Sequence, residues 1–210
     1  MVQQRLLDIA IREFGLKGLE GASTREIAAA ADTAMSSITY HYGGKEGLYL
    51  AAADHIAAQM GQYMAAALDL GQMPTTPQEA RASIHRILDA FTAKMASDVN
   101  SDWSLFVVRE QMNPTEAFER IYGGLMGQMM RRLVELVCIA TGRRDAHVAQ
   151  IATITLFGQV VVIRASRASC LKLLERDRID PSALAIFSAR IAANTDAILD
   201  RLIAERQELP

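Results

Sequence analysis

Apolar residues recur at helical spacing from the start of the chain. Leu6, Leu7, Ile9, Ala10 and Phe14 fall on one stripe of a helix over residues 4–17, and glycines close it. This pattern predicts an amphipathic first helix whose apolar face packs against other elements.

Two short helices and a long one are predicted next. Ser23 and Glu26 have the spacing of a capping box, which opens a helix of about two turns. A break follows at residues 32–34, then a second short helix over 35–42, which the glycine pair 43–44 ends. A long Ala-rich helix is predicted over residues 45–70.

Beyond the prolines at 74 and 77, the helical pattern continues to the end of the chain. Helices are predicted over residues 78–97, 101–112, 115–141, 145–174 and 182–206. No strand-like alternation or internal repeat is visible. We therefore predict an all-α protein, with a compact N-terminal unit of small helices on a larger helical bundle.

Composition agrees with helices and gives no electrostatic argument for a partner. The 210 residues are 50% hydrophobic and only 6% aromatic, with a net charge of −2. Residues 1–50 carry five Lys or Arg against six Asp or Glu, an unusual balance for a DNA-binding module. The longest apolar run, near 153–163, is interrupted by polar residues and glycine, so we expect a soluble cytoplasmic protein without a membrane span.

The two short helices have the arrangement of a helix-turn-helix, braced by the first helix. In the second, Ile38 and Tyr42 can face the core, while small hydroxyl side chains can enter a DNA major groove. His41 and Lys45 at the following corner can clamp a phosphate, as can Thr24 and Arg25 at the start of the first short helix. The alternative is that the corner holds ordinary aromatic and solvated side chains.

The segment AIREFGLKGLEGASTREIAAAADTAMSSITYHYGGKEGLYLA, residues 10–51, resembles the DNA-binding unit of the TetR family of bacterial regulators. It departs from the family pattern at Asp32 and Thr33, where Gly-Val is usual, and Asp tolerates a left-handed turn. The resemblance implies a DNA-binding domain over residues 1–50 and a ligand-binding and dimerisation domain over 51–210. It places the DNA contacts on Thr24, Arg25, Met35, Ser36, Ser37, Thr39, Tyr40, His41 and Lys45.

The segment FVVREQMNPTEAF, residues 106–118, adds a resemblance to the CecR-like branch of that family. Arg109 and Glu110 interrupt an otherwise apolar helix. They could line an effector cavity with Phe106 and the methionines Met60 and Met64 of the long helix. Alternatively, the charged pair forms an ion pair or caps the turn at residues 113–114.

The resemblance implies a homodimeric regulator, most simply a repressor that a small-molecule effector releases from a palindromic operator. The last two long helices carry apolar residues on more than one face and are the expected dimer interface. A DNA-binding protein without a ligand is one alternative. A helical-bundle enzyme is another, although the sequence lacks a Glu-x-x-His metal spacing, HExxH, a P-loop and GxSxG, so we expect no catalytic residue, metal or cofactor.

Overall fold

A computed structural model of the chain describes residues 2–68, 72–97 and 102–207, without the side chains of residues 2, 63–68, 102 and 207. It is 85% helical, and no strand occurs in these ranges, which confirms the all-α prediction. The helices are α1 (Val2–Gly21), α2 (Thr24–Ala30), α3 (Met35–Tyr42), α4 (Lys45–Leu68), α5 (Pro77–Ala96), α6 (Asp102–Met112), α7 (Glu116–Ile121), α8 (Gly127–Thr141), α9 (Ala146–Ala165), α10 (Arg167–Leu174) and α11 (Pro181–Gln207).

Two predicted helices are interrupted. The helix predicted over 115–141 contains a π-helical turn, Tyr122–Met126, between α7 and α8. Gly124 in that turn has a non-helical ψ of −146°, and a Cβ there would lie 3.2 Å from the Cβ of Ala57. This close approach to Ala57 explains why residue 124 is a glycine. The helix predicted over 145–174 breaks at Ser166, between α9 and α10.

One compact unit comprises Met1–Tyr63 and Val99–Gly127. In it α1 packs against α6 and α2, and α2 packs against α3. Its buried side chains include Phe14, Ile27, Ile38, Leu48 and Phe106. The unit therefore joins the helix-turn-helix to α6 and α7, whereas the sequence prediction had placed a domain boundary at residue 50.

The other compact unit comprises Met64–Asp98 and Gln128–Pro210. Here α5 packs against both α9 and α11. Thr76 caps α5 by accepting from the Glu79 N–H at 3.3 Å, while the Glu79 carboxylate accepts from the Thr76 N–H at 3.3 Å. This reciprocal capping box fixes where the chain enters α5.

Helix α9 is apolar around most of its circumference. Ala149, Leu156 and Val160 are fully buried, yet Ile151 and Ile154 are 50% and 62% exposed. Among the described residues it is the one helix long and apolar enough to cross a membrane, but only 33% of that stretch is buried. Length and composition alone are weak grounds for a span, because helices of protein cores and interfaces share them.

Candidate nucleic-acid interface and effector region

The turn between α2 and α3 has helix-turn-helix geometry. Asp32 adopts the left-handed conformation, with φ of 55°, which the sequence analysis allowed for an aspartate in this turn. Ser23 caps α2 by accepting from the Glu26 N–H at 3.4 Å. The Glu26 carboxylate bonds the Lys17 ammonium at 2.8 Å, and that contact lowers the pKa of Glu26.

Helix α3 has one buried anchor and an exposed outer face. Ile38 is 1% exposed and fixes the helix on the core, while Met35 is 54% and Tyr40 85% exposed. Three more of the predicted DNA contacts on this helix are exposed: Ser36, Thr39 and His41. Solvent-facing side chains on an anchored helix can reach base edges in a major groove.

Ser37 differs from its neighbours because it is half-buried. Its Oγ accepts from the Thr33 hydroxyl at 3.2 Å. This bond links the turn to the first part of α3, whose N-cap residue, Ala34, makes no side-chain cap. Ser37, which was predicted to contact DNA, therefore stabilises the turn between α2 and α3.

Glycines make the corner between α3 and α4 possible. Gly43 ends α3 in the left-handed conformation, with φ of 76°, and its N–H donates to the Thr39 carbonyl. Gly44 also has a positive φ, 124°. A Cβ on Gly47 would lie only 1.7 Å from the carbonyl oxygen of Tyr42. Only glycine at position 47 lets the first turn of α4 come this close to the end of α3.

The polar groups at this corner have defined partners. The Lys45 Nζ donates to the Glu20 carbonyl at 2.9 Å, which ties the first residue of α4 to the last turn of α1. The rings of Tyr40 and His41 meet edge to face, with centroids 5.0 Å apart.

Thr24 and Arg25, the other predicted phosphate contacts, form the first turn of α2, where Arg25 is exposed and Thr24 half-buried.

Arg109, which was predicted to face an effector, contacts the end of the first part of α1, just before its break at Gly18. Its guanidinium donates to the Gly15 carbonyl at 3.4 Å and to the Leu16 carbonyl at 3.2 Å. Gly18 breaks α1 with φ of 74°, and a Cβ there would lie 3.1 Å from the Arg109 Nη1. A guanidinium at these terminal carbonyls satisfies acceptors that the helix leaves open.

Glu110 is 2% exposed, and its two carboxylate oxygens accept four hydrogen bonds. The Tyr49 hydroxyl donates to Oε1 at 2.6 Å. The other oxygen accepts from the N–H and hydroxyl of Thr115 and from the Phe118 N–H, at 2.8–3.0 Å. Glu110 therefore caps the turn into α7, as in the alternative considered from sequence. Burial and the hydrogen bond to Glu110 raise the pKa of Tyr49.

The remaining predicted effector contacts are apolar. Met60 and Phe106 are buried, with exposures of 6% and 0%, and the Phe106 ring stacks on Tyr49 at 4.6 Å between centroids. The side chain of Met64 lies outside the described residues. Trp103, which sequence reasoning had not selected for this region, is 8% exposed, and its indole N–H has no hydrogen-bond partner among the residues that the structure describes. An unpaired buried donor one turn before Phe106 is costly unless a ligand supplies an acceptor.

Comparison with known proteins identifies the family. Residues 6–52 match the model of bacterial regulatory proteins of the tetR family. Residues 80–202, more than half of the chain, match the C-terminal domain of the HTH-type transcriptional dual regulator CecR.

Individual proteins agree with these matches. The chain is 29% identical over 207 residues to the CecR regulator of Shigella flexneri, covering 95% of this chain and 92% of the relative. A TetR-family regulator from Streptomyces coelicolor shares the fold with a TM-score of 0.66 at 18% identity, covering 96% of each chain. AibR, solved with isovaleryl coenzyme A and operator DNA, shares it with a TM-score of 0.62 at 12% identity, covering 91% of this chain and 96% of AibR. The chain therefore belongs to the TetR family, within its CecR-like branch, and is a DNA-binding transcriptional regulator rather than an enzyme.

Proposed function

We propose that this regulator is a cytoplasmic homodimeric repressor that binds a palindromic operator and leaves it when a small-molecule effector binds. The observation that carries the proposal is the exposed face of α3, with Met35 and Tyr40 standing out from a helix that Ile38 anchors. Met35, Ser36 and Thr39 are the proposed base contacts, with Ser37 supporting them, and Tyr40 contacts either bases or phosphates.

Phosphate contacts are proposed at two helix starts, where backbone N–H groups already favour an anion. Thr24 and Arg25 supply one site, and His41 and Lys45 supply the other. The Lys45 ammonium uses one of its three protons on the Glu20 carbonyl, so two remain for a phosphate. Clamps of this kind need few cations, which agrees with an N-terminal unit that is not basic.

A dimer is proposed because two recognition helices must read two half-sites about 34–36 Å apart. Large apolar side chains exposed on α9 and α11 support this interface. They are Ile151, Ile154, Val162 and Ile186, with exposures from 44% to 69%. Covering these side chains removes apolar area from water, which favours association.

An effector site is proposed near α6, with Trp103 added to the residues suggested by sequence. Its buried N–H has no acceptor among the described residues, and an oxygen of the effector would provide one. AibR, a protein of this fold, was solved with both a small molecule and its operator, which supports an effector-controlled DNA-binding cycle. Arg109 and Glu110 would then act by holding α1, α4 and α7 in place beside the effector.

Two measurements test the proposal. Selection of bound fragments from a random DNA pool by the purified protein should enrich a palindrome, and the Tyr40→Ala protein should lose that enrichment. A reporter under the selected operator should be expressed less when the protein is present. Enrichment of no sequence, or expression that rises with the protein, would contradict a repressor.

The effector can be sought through the one tryptophan of the chain. Compounds that change Trp103 fluorescence should also release the selected operator, and both responses should require the same concentration. Compounds that release DNA without any change in this fluorescence would place the effector elsewhere.

A further inference from the structure

Helix α3 lacks the side chains that read guanine and adenine through paired hydrogen bonds. Its sequence, MSSITYHY, contains no Arg or Lys to bind the O6 and N7 atoms of guanine, and no Asn or Gln to bind the N6 and N7 atoms of adenine. It also contains no Asp or Glu to accept from the amino group of cytosine. The cations proposed to contact DNA, Arg25 and Lys45, lie on α2 and α4 and are assigned to phosphates. Direct readout by α3 therefore depends on other groups.

The outer face of α3 offers an apolar side chain at its start. Met35 is the first residue of the helix and is 54% exposed. Thr39 is also exposed and lies four residues later, so its methyl group and the Met35 side chain are neighbours on one side of the helix. Ile38, at 1% exposure, holds the helix on the core, so the side formed by Met35 and Thr39 stays at the surface.

One base presents a methyl group in the major groove. This group is at C5 of thymine, whereas the recognition atoms of the other bases are hydrogen-bond donors and acceptors. The residues at the start of a recognition helix are the ones that contact base edges. An apolar side chain exposed there gains from covering the thymine methyl, because both groups leave water. The hydroxyls of Ser36 and Thr39 can bond to donors and acceptors alike, so they discriminate less between bases.

We propose that α3 reads thymine through its C5 methyl group, with Met35 as the specificity-determining residue and the Thr39 methyl group beside it. The inference rests on the DNA-binding mode proposed above and names the class of operator that fits it. Each half-site has a T·A pair whose thymine methyl faces the start of α3. Removing that methyl should weaken binding about fourfold per half-site, which corresponds to about 0.8 kcal/mol for one buried carbon group.

Uracil tests the readout because it pairs with adenine as thymine does but lacks the methyl group. The full-length protein is titrated with its selected operator, in which uracil replaces one thymine at a time, at matching positions of both half-sites. At least one replacement within the half-site should weaken binding about fourfold per half-site. Equal affinity for the operator and for all of its uracil versions would overturn the proposal.

Protein variants assign the methyl group to its reader. Met35→Ala should bind the thymine operator more weakly and should no longer respond to the sensitive uracil replacement, whereas the apolar Met35→Leu should keep most of that response. Met112→Ala is the matched control, because Met112 is 75% exposed but lies on α6, and it should respond as the unchanged protein does. If Met35→Ala binds too weakly for comparison, Thr39→Ser should reduce the response, because it removes only the neighbouring methyl. A uracil effect of full size in Met35→Ala would overturn the role of Met35.

A methylated cytosine separates the methyl group from the shape of A·T-rich DNA. Replacing the sensitive T·A pair by C·G should weaken binding, and 5-methylcytosine at the same position should recover part of the loss. No recovery would show that A·T shape is read instead and would overturn the proposal.

Failure of the repressor proposal has a different signature. A selected site that is not a palindrome, or a reporter whose expression rises with the protein, defeats the homodimeric repressor. The thymine readout still stands in that case if the uracil effect depends on Met35. A palindrome whose affinity ignores uracil defeats the readout and leaves the repressor standing. Enrichment of no sequence overturns both, because a helix that reads thymine enriches it.

Discussion

The bond between Tyr49 and Glu110 gives a sharp test of how α4 is held to α6 and α7. Both residues are almost fully buried, at 3% and 2% exposure, and the Glu110 Oε1 accepts its hydrogen bond from the Tyr49 hydroxyl at 2.6 Å. Tyr49→Phe removes that donor but keeps the ring, so the contacts with Phe14 at 4.9 Å and Phe106 at 4.6 Å remain.

The expected cost follows from the charge and burial of the acceptor. A hydrogen bond to a charged group contributes about 1.5–3 kcal/mol, and an acceptor left unpaired inside a protein costs a similar amount. We therefore expect Tyr49→Phe to lower the free energy of unfolding by about 2 kcal/mol. For a chain of this length that corresponds to a fall of roughly 4–8 °C in melting temperature.

Urea unfolding at a fixed protein concentration measures the loss, because the stability of the proposed dimer would depend on concentration. Tyr42→Phe is the matched control, since the half-buried Tyr42 hydroxyl makes no hydrogen bond with the described residues. It should change stability by less than about 0.5 kcal/mol.

A double-mutant cycle isolates the bond from other effects. Glu110→Gln should itself be destabilising, because a neutral amide replaces an acceptor of four hydrogen bonds. In that background Tyr49→Phe should cost at least about 1 kcal/mol less than in the unchanged protein. Costs that add within about 0.5 kcal/mol would refute the reasoning.

The raised pKa of Tyr49 adds a pH signature. Burial and the bond to Glu110 keep the folded phenol neutral, whereas in the unfolded chain it ionises near its ordinary value of 10.0. The stability that the group contributes is therefore present below that value and is lost as the pH rises above it. The advantage of the unchanged protein over Tyr49→Phe should shrink above about pH 10.

Three further predictions concern the corner, the DNA and the dimer. Gly47→Ala should unfold or rearrange the corner of α3 and α4 and abolish operator binding, because the alanine Cβ would overlap the Tyr42 carbonyl. A Gly47→Ala protein that melts and binds DNA like the unchanged protein would contradict this. Lys45→Ala should weaken binding to all sequences and reduce the salt slope by about one, whereas an unchanged slope would exclude a phosphate contact. Ile154→Glu should yield folded monomers in sedimentation, because Ile154 is 62% exposed in the single chain. Val160→Glu should instead unfold the chain, because Val160 is fully buried. A folded Ile154→Glu dimer would place the interface elsewhere.

Local signals in the sequence predicted the helix-turn-helix closely. Helix α3 begins and ends where the sequence indicated, at Met35 and Tyr42, because glycines at 43 and 44 end it within the same short segment. The left-handed Asp32 was likewise readable from residue type. Each of these features depends on neighbours within a few residues, which is what propensity and turn chemistry describe.

Contacts between distant residues explain what the sequence did not predict. The break between α9 and α10 has no glycine or proline, but Arg164 donates to the Lys94 carbonyl at 3.4 Å and Arg167 to the Ala96 carbonyl at 3.2 Å, at the end of α5. The two guanidinium groups flank Ser166 and hold the chain there. Such pairings lie about 70 residues apart in sequence, so no local pattern records them.

The charged pair on α6 shows how one sequence feature can serve two neighbouring elements. Arg109 and Glu110 are adjacent, so they leave the helix about 100° apart and reach different neighbours. Arg109 reaches the end of the first part of α1, and Glu110 reaches Tyr49 of α4 and the start of α7. Helices α1 and α4 are also joined by Lys45, which is itself part of the proposed phosphate clamp. A displacement of α6 would therefore pull on α1 and α4, which Lys45 joins at the α3–α4 corner. This makes α6 the element through which an effector bound near Trp103 could alter DNA binding.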